Sequence, residues 1–90
     1  MRVFMSMPMN GKTDEEIEAR KTELIPTFAF PVGEFLDGRS DEPSPIRGLA
    51  HALTVLDDCD AIWMTPGWED SVGCKIERAV AEAYDIPVYD

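Results

Sequence analysis

The sequence predicts a single small α/β domain built on a four-stranded parallel sheet with about three covering helices. Two kinds of observation carry this. Short apolar runs of strand type alternate with stretches of helical periodicity along all 90 residues. Two of the helix starts are marked by capping chemistry, Thr13-Asp14-Glu15-Glu16 and Ser44-Pro45. Strands separated by helices pair in parallel, because the helix is the crossover that parallel neighbours require.

The elements follow in order. Arg2–Ser6 is a short apolar strand that Pro8 closes. Thr13 to about Ile25 is a helix opened by a capping box, in which the Thr13 hydroxyl and the Glu16 carboxylate satisfy free backbone donors reciprocally. Ile17, Leu24 and Ala19 supply its thin apolar stripe, and Pro26 ends it. Thr27–Phe35 is aromatic and β-branched enough for a strand, while Pro31 and Gly33 argue for an edge strand or an early exit into loop. Leu36–Pro43 is a loop around the Asp37-Gly38 turn signal.

A second helix begins at Ser44-Pro45 and repeats Ile46, Leu49, Ala50, Leu53 and Leu56 at helical spacing. Asp60–Thr65 is a buried-type strand that Pro66-Gly67 breaks. The third helix starts near Asp70 or Ser71, with Val72, Ile76, Ala79, Val80 and Ala83 as its expected apolar face. Ile86–Tyr89 is the last strand. The common arrangement for this series is flavodoxin-like or Rossmann-like, three layers with strand order 2-1-3-4. Ligands in such sheets bind beyond the carboxyl ends of the strands, where the strand order reverses. Here that point joins Ser6–Lys12 to Thr65–Gly73, the two most unusual stretches of the chain.

Composition limits the partners. The chain is 44% hydrophobic and carries 18 acids against 8 Lys and Arg, a net charge of −10. Both halves are acidic, with 9 acids and 5 bases in residues 1–45 and 9 and 3 in residues 46–90. Nucleic-acid polymers and anionic membranes are held by basic patches, and none is written here. The N-terminus has no secretory apolar region and no run reaches membrane-spanning length, so a reducing cytoplasm is the expected setting. Cys59 and Cys74 make neither a disulfide framework nor a metal site, and they read as small apolar side chains. A chain this short buries a small share of its surface, which favours association into a homodimer or larger homo-oligomer.

The first loop, Ser6-Met7-Pro8-Met9-Asn10-Gly11-Lys12-Thr13, matches a phosphate-binding P-loop only in part, lacking the leading glycine and the full spacing. Ser6, Lys12 and the amides at the helix start could hold an anion, or could form a capped loop with a solvated lysine. The second loop runs Pro66-Gly67-Trp68-Glu69-Asp70-Ser71-Val72-Gly73. Gly73 in the first turn of a helix costs stability, so close backbone approach is expected there, from the sheet or from a ligand. Trp68 could stack a base or pack the loop. Trp63 reads as core. His51 lies outside the main stripe of its helix, without partners at metal-ligand spacing.

Glu77 is the residue of most interest. It lies four residues after Gly73, beside the expected apolar stripe, and its helical neighbours Gly73, Cys74, Val80 and Ala81 offer no ion-pair partner. The outer face holds Lys75, Arg78 and Glu82. A carboxylate directed over a glycine toward a loop is a candidate nucleophile or base, against a solvated glutamate.

Ser6-x-Pro8-Met9-x-Gly11 after an opening strand resembles the corresponding loop of the nucleoside 2-deoxyribosyltransferase-like superfamily. Cys59-Asp60-Ala61-Ile62 leading into Pro66-Gly67-Trp68-Glu69-x-Ser71-x-Gly73-x-x-x-Glu77 resembles it as well. The likeness spans nearly the whole of residues 1–90 and is nearest to a short bacterial and phage branch. It implies cleavage or transfer of the N-glycosidic bond of a nucleoside or nucleotide, with no metal or organic cofactor. Glu77 would attack the anomeric carbon, and Glu69 or Asp70 would supply a proton to the leaving base. Ser71 and the amides near Gly73 would hold the sugar or its phosphate. Ser6, Pro8, Met9, Gly11, Gly67 and Trp68 would line the pocket, which a neighbouring subunit often completes. Two departures stand out. Ala52 occupies the position, eight before Asp60, where such relatives usually carry a sugar-orienting acid. Met7 follows Ser6 where a glycine is common. These departures favour the alternative reading, a non-catalytic module that binds a nucleotide or phosphosugar.

Overall fold

The computed structural model describes residues 1–90 and contains a four-stranded, all-parallel sheet in the order β2-β1-β3-β4. The strands are β1 (Arg2–Ser6), β2 (Glu34–Leu36), β3 (Ala61–Met64) and β4 (Val88–Tyr89). The helices are α1 (Asp14–Leu24), α2 (Pro45–Asp57) and α3 (Val72–Ala83). The expected fold and strand order are therefore those of the molecule.

Right-handed crossovers assign the layers. The β1–β2 connection puts α1 on one face, where Ile17 and Leu24 pack on Val3, Met5, Met7, Ala61 and Trp63. The chain then reverses direction along the sheet, so α2 and α3 cover the other face. Ala52, Leu56, Cys74 and Ala81 pack there on Phe4, Ile62 and Met64. Strand alternation sorts these residues, since Val3 and Met5 point one way and Phe4 and Ser6 the other.

The helix starts are built as the sequence reading requires. Thr13 Oγ1 accepts from the Glu16 amide, and Glu16 returns a carboxylate oxygen to the Thr13 amide, closing the capping box. Ser44 caps α2 with Pro45 as its first residue, and Ser71 caps α3 by accepting from the Cys74 amide at 3.3 Å. Such caps are each worth about 1 kcal/mol.

Three expectations need correction. The strand placed at Thr27–Phe35 forms only at its end. Ile25–Thr27 closes in a 3₁₀ turn, residues 28–33 run as irregular chain, and pairing starts at Glu34 opposite Arg2. Pro26 and Pro31 lack the N–H that a ladder needs. The apolar faces of the last two helices are also rotated. On α2, Ala52 and Leu56 are buried, while Ile46 and Ala50 are exposed. On α3 the buried residues are Cys74, Glu77 and Ala81, while Val72, Ile76, Ala79 and Ala83 face out, Val72 being 70% exposed. The small side chains at 74 and 81 let α3 lie close on the sheet, and close packing outweighs the hydropathy of Val72 and Ile76.

Candidate functional site at the carboxyl end of the sheet

The site is assembled from the tips of β1 and β3 and the first turns of α3. Ser6 is the last residue of β1 and fully buried. It pairs with Met64 of β3, and its carbonyl accepts from both the Thr65 amide at 3.1 Å and the Thr65 hydroxyl at 2.8 Å. Its own hydroxyl points to the α3 face and donates to Glu77 Oε1 at 2.6 Å. A bond between residues 71 apart in the chain thus locks α3 to the strand at the reversal point.

Glu77 is only 8% exposed. No lysine, arginine or histidine lies within ion-pair distance, although Arg78 next to it binds both Glu82 and Asp90. Burial pushes the Glu77 carboxyl up to about 7, against the opposing pull of the Ser6 hydrogen bond. Near neutral pH the group is shared between acid and carboxylate. Cys74, one turn earlier and buried, is held in its thiol form by the same desolvation. No three His, Cys, Asp or Glu side chains gather to hold a metal ion.

The other residues read as a site divide into groups. Gly67 adopts a left-handed φ of 92°, and a Cβ built on it would stand 3.7 Å from Pro8, so the two loops meet there. Gly67, Trp68 and Glu69 line one hollow, of about 560 Å³, on the α1 face. Pro8, Lys12, Arg20 and Gly67 line a second, of about 430 Å³, toward the start of α1. Ser71 serves as the α3 cap. Gly11 is exposed at the loop tip with a φ of 74°, and Asp70 is exposed on the 3₁₀ turn without a place in either hollow. Met9 packs against the α1-side core and belongs to the packing of the loop. Gly73 corrects another expectation. A Cβ there would meet nothing within 4 Å, so the sheet does not require the glycine and the space above it is open. Glu77, expected beside the apolar stripe, lies on the buried face itself.

Trp68 has one ring face covered by the Arg78 guanidinium, 4.7 Å from its centroid. Ala52 is core. It touches Phe4 and lies so close beneath Gly38 that a Cβ on the glycine would come within 2.5 Å of the alanine's. A longer side chain at that position would have to displace Phe4 or the Gly38 turn.

A model of the DUF4406 family, a domain of unknown function, matches residues 1–90. The chain belongs to that family. No curated protein and no solved structure matches it. The geometry of this DUF4406 domain therefore carries the chemical reading. Sequence reasoning missed two parts of it. Asp37, read only as a turn, receives Lys21 Nζ at 2.8 Å and Arg39 Nε at 3.1 Å, and Arg39 also bonds Glu18, fixing the loop after β2. The aromatic rings on the α1 face, Phe28, Phe30, Trp63 and Tyr89, gather along the first hollow. Their only signal was the aromatic density of Thr27–Phe35.

Proposed function

We propose that this protein cleaves or transfers the N-glycosidic bond of a nucleoside or nucleotide, with Glu77 as the nucleophile. The observation that supports it is the state of that carboxyl. It is buried, free of any cation, and hydrogen-bonded to Ser6 at the reversal point of a parallel sheet, outside both hollows. Structural carboxylates in cores are normally neutralised by a base. A poorly solvated carboxylate is a stronger nucleophile toward an anomeric carbon with oxocarbenium character. Glu77 would form a glycosyl ester as the bond to the base breaks, and water or an acceptor base would then displace it. Of the two acids offered as proton donors to the departing base, Glu69 lines the aromatic hollow and Asp70 lines neither hollow. Because the nucleophile must be ionised, turnover would rise as pH passes through about 7.

The second reading, a nucleotide- or phosphosugar-binding module without turnover, is favoured by one observation, the burial of Ala52 where an orienting acid would act. One assay separates the two. The protein and its Glu77→Gln and Glu77→Ala variants are incubated with deoxynucleosides and their 5′-monophosphates, and free base is measured. Base release lost in both variants supports catalysis. Saturable binding by all three forms without release supports the module. A flat response to every compound, in release and in thermal shift, overturns both.

A further inference from the structure

One oxygen of the Glu77 carboxyl is engaged and the other is not. Oε1 accepts from Ser6 at 2.6 Å, while Oε2 has no hydrogen-bond partner in the molecule. No side-chain oxygen that is cut off from solvent lacks a partner. Oε2 therefore meets solvent, although the residue as a whole is only 8% exposed. Neither hollow provides that opening, since Glu77 lines neither. A second observation locates it. Residues four apart share a helix face, and long side chains lean toward the helix N-terminus. The Glu77 side chain thus lies over the turn of α3 that begins at Gly73. A Cβ on Gly73 would meet nothing within 4 Å, the Glu77 side chain included. The glycine leaves a gap in front of the carboxyl.

We infer that Glu77 is approached along α3 through this gap, and that Gly73 is the residue that sets what passes. The inference rests on the role proposed for Glu77 in the preceding subsection, to which it adds the route. Nothing in the fold asks for a glycine at 73. Its φ lies outside the left-handed region, the sheet does not press on it, and it costs helix stability. What it provides is room beside an unpartnered oxygen on a nearly buried side chain. An alanine would narrow that room and a valine would fill it. The carboxyl also sets the charge of what enters. Arg78, the adjacent cation, is taken by Glu82 and Asp90, so nothing offsets an ionised Glu77 against an incoming anion. The part of the ligand that passes Gly73 is therefore slender and carries no negative charge. A sugar carbon with its hydroxyls fits that description and a phosphate does not.

Diazoacetamide, a small uncharged reagent, reads the route without any turnover. Its diazo carbon takes the proton of a protonated carboxyl, loses dinitrogen and is left as an ester on the carboxyl oxygen. At pH 6 the Glu77 carboxyl, raised to about 7, carries its proton in most molecules. Wild type, Gly73→Ala, Gly73→Val and Phe30→Ala are treated, and the ester at Glu77 is measured by peptide mass spectrometry. Phe30 is 53% exposed on the aromatic hollow, so Phe30→Ala widens that hollow and leaves the core intact. Wild type and Phe30→Ala should label alike, Gly73→Ala about threefold more slowly, and Gly73→Val at least about tenfold more slowly. A valine that only deepened the burial of Glu77 would raise its protonated fraction and speed labelling, so slower labelling reports lost access. Gly73→Ala should also raise the melting temperature by about 3 °C, because it puts a better helix former where nothing is in the way. Added inorganic phosphate should not protect Glu77. No ester at Glu77 in wild type, equal labelling of the Gly73 variants, or faster labelling of Phe30→Ala would overturn the route. A lower melting temperature in Gly73→Ala, or protection by phosphate, would do the same. Labelling in the expected pattern without base release leaves the route standing while the catalytic reading falls. Base release that survives Gly73→Val does the reverse.

Discussion

Replacing Glu77 by glutamine should change how stability depends on pH, in a direction and size fixed by its burial. The carboxyl is raised from an ordinary 4.5 to about 7 in the folded chain. Between those values the folded state keeps a proton that the unfolded state has released. Each pH unit in that window therefore removes about 1.4 kcal/mol of stability. Below 4.5 both states are protonated, and the full contribution is present. Above 7 both are ionised, and the loss has accumulated to about 3 kcal/mol. For a domain of this size that is a large share of the total, which is commonly 5–15 kcal/mol. The Glu77→Gln side chain cannot ionise, and its amide oxygen can still accept from Ser6. Any fixed cost of the amide is the same at all pH values, so it drops out of the comparison. Urea unfolding of both forms at pH 4, 5, 6, 7 and 8.5 measures the effect. The stability of the variant relative to wild type should climb by about 3 kcal/mol from pH 4 to 8.5, most of it between 4.5 and 7. Two curves that remain parallel across that range would refute the reasoning, because they would show a carboxyl that titrates alike in both states.

Further outcomes follow from the same structure. Ser6→Ala removes the one interaction that favours the ionised Glu77, so the carboxyl's midpoint should move up from about 7, read by the same pH series or by carboxyl resonance titration. Asp37→Ala strands Lys21, whose side chain is 13% exposed, and should cost about 2 kcal/mol in urea unfolding. Burial opposes the ionisation of Asp37 but the Lys21 and Arg39 hydrogen bonds outweigh it and hold the carboxyl below its ordinary value, so the effect should be smaller at low pH, where protonation takes those bonds from the wild type as well. The outer surface of α2 and α3 should seat a second copy of the chain. Ile46, Val72 and Ile76 are exposed there, and the two helices carry Arg47, Lys75 and Arg78 against Asp57 and Glu82 outside the buried Glu77, in a molecule of net charge −10. Charges of both signs stand on these two helices, which tempers like-charge repulsion there. Size-exclusion chromatography should give a dimer that Ile76→Lys converts to monomer, and a wild type eluting as a monomer at high concentration would exclude it.

Much of this protein is legible without coordinates because its signals are local. The Thr13–Glu16 capping box and the Ser44-Pro45 start act within one helical turn, so chemistry three residues apart suffices to place them. The alternation of strand and helix restricts the sheet to a few orders through crossover handedness, and the reversal point then names the two loops that meet at Pro8 and Gly67. Glu77 was legible as a carboxylate without a helical partner.

What only the tertiary structure decided is long-range. Periodicity tells a helix that it has an apolar side, but on α3 two sides qualify, and the choice fell to the one with Cys74 and Ala81 because small residues allow the closest approach to the sheet. That rotation carried Glu77 inward and sent Val72 and Ile76 out. The Ser6–Glu77 bond and the aromatic cleft join segments distant in sequence. Burial, which sets the proton affinity of the carboxyl, belongs to the packed surfaces around a side chain and to no residue's immediate neighbours.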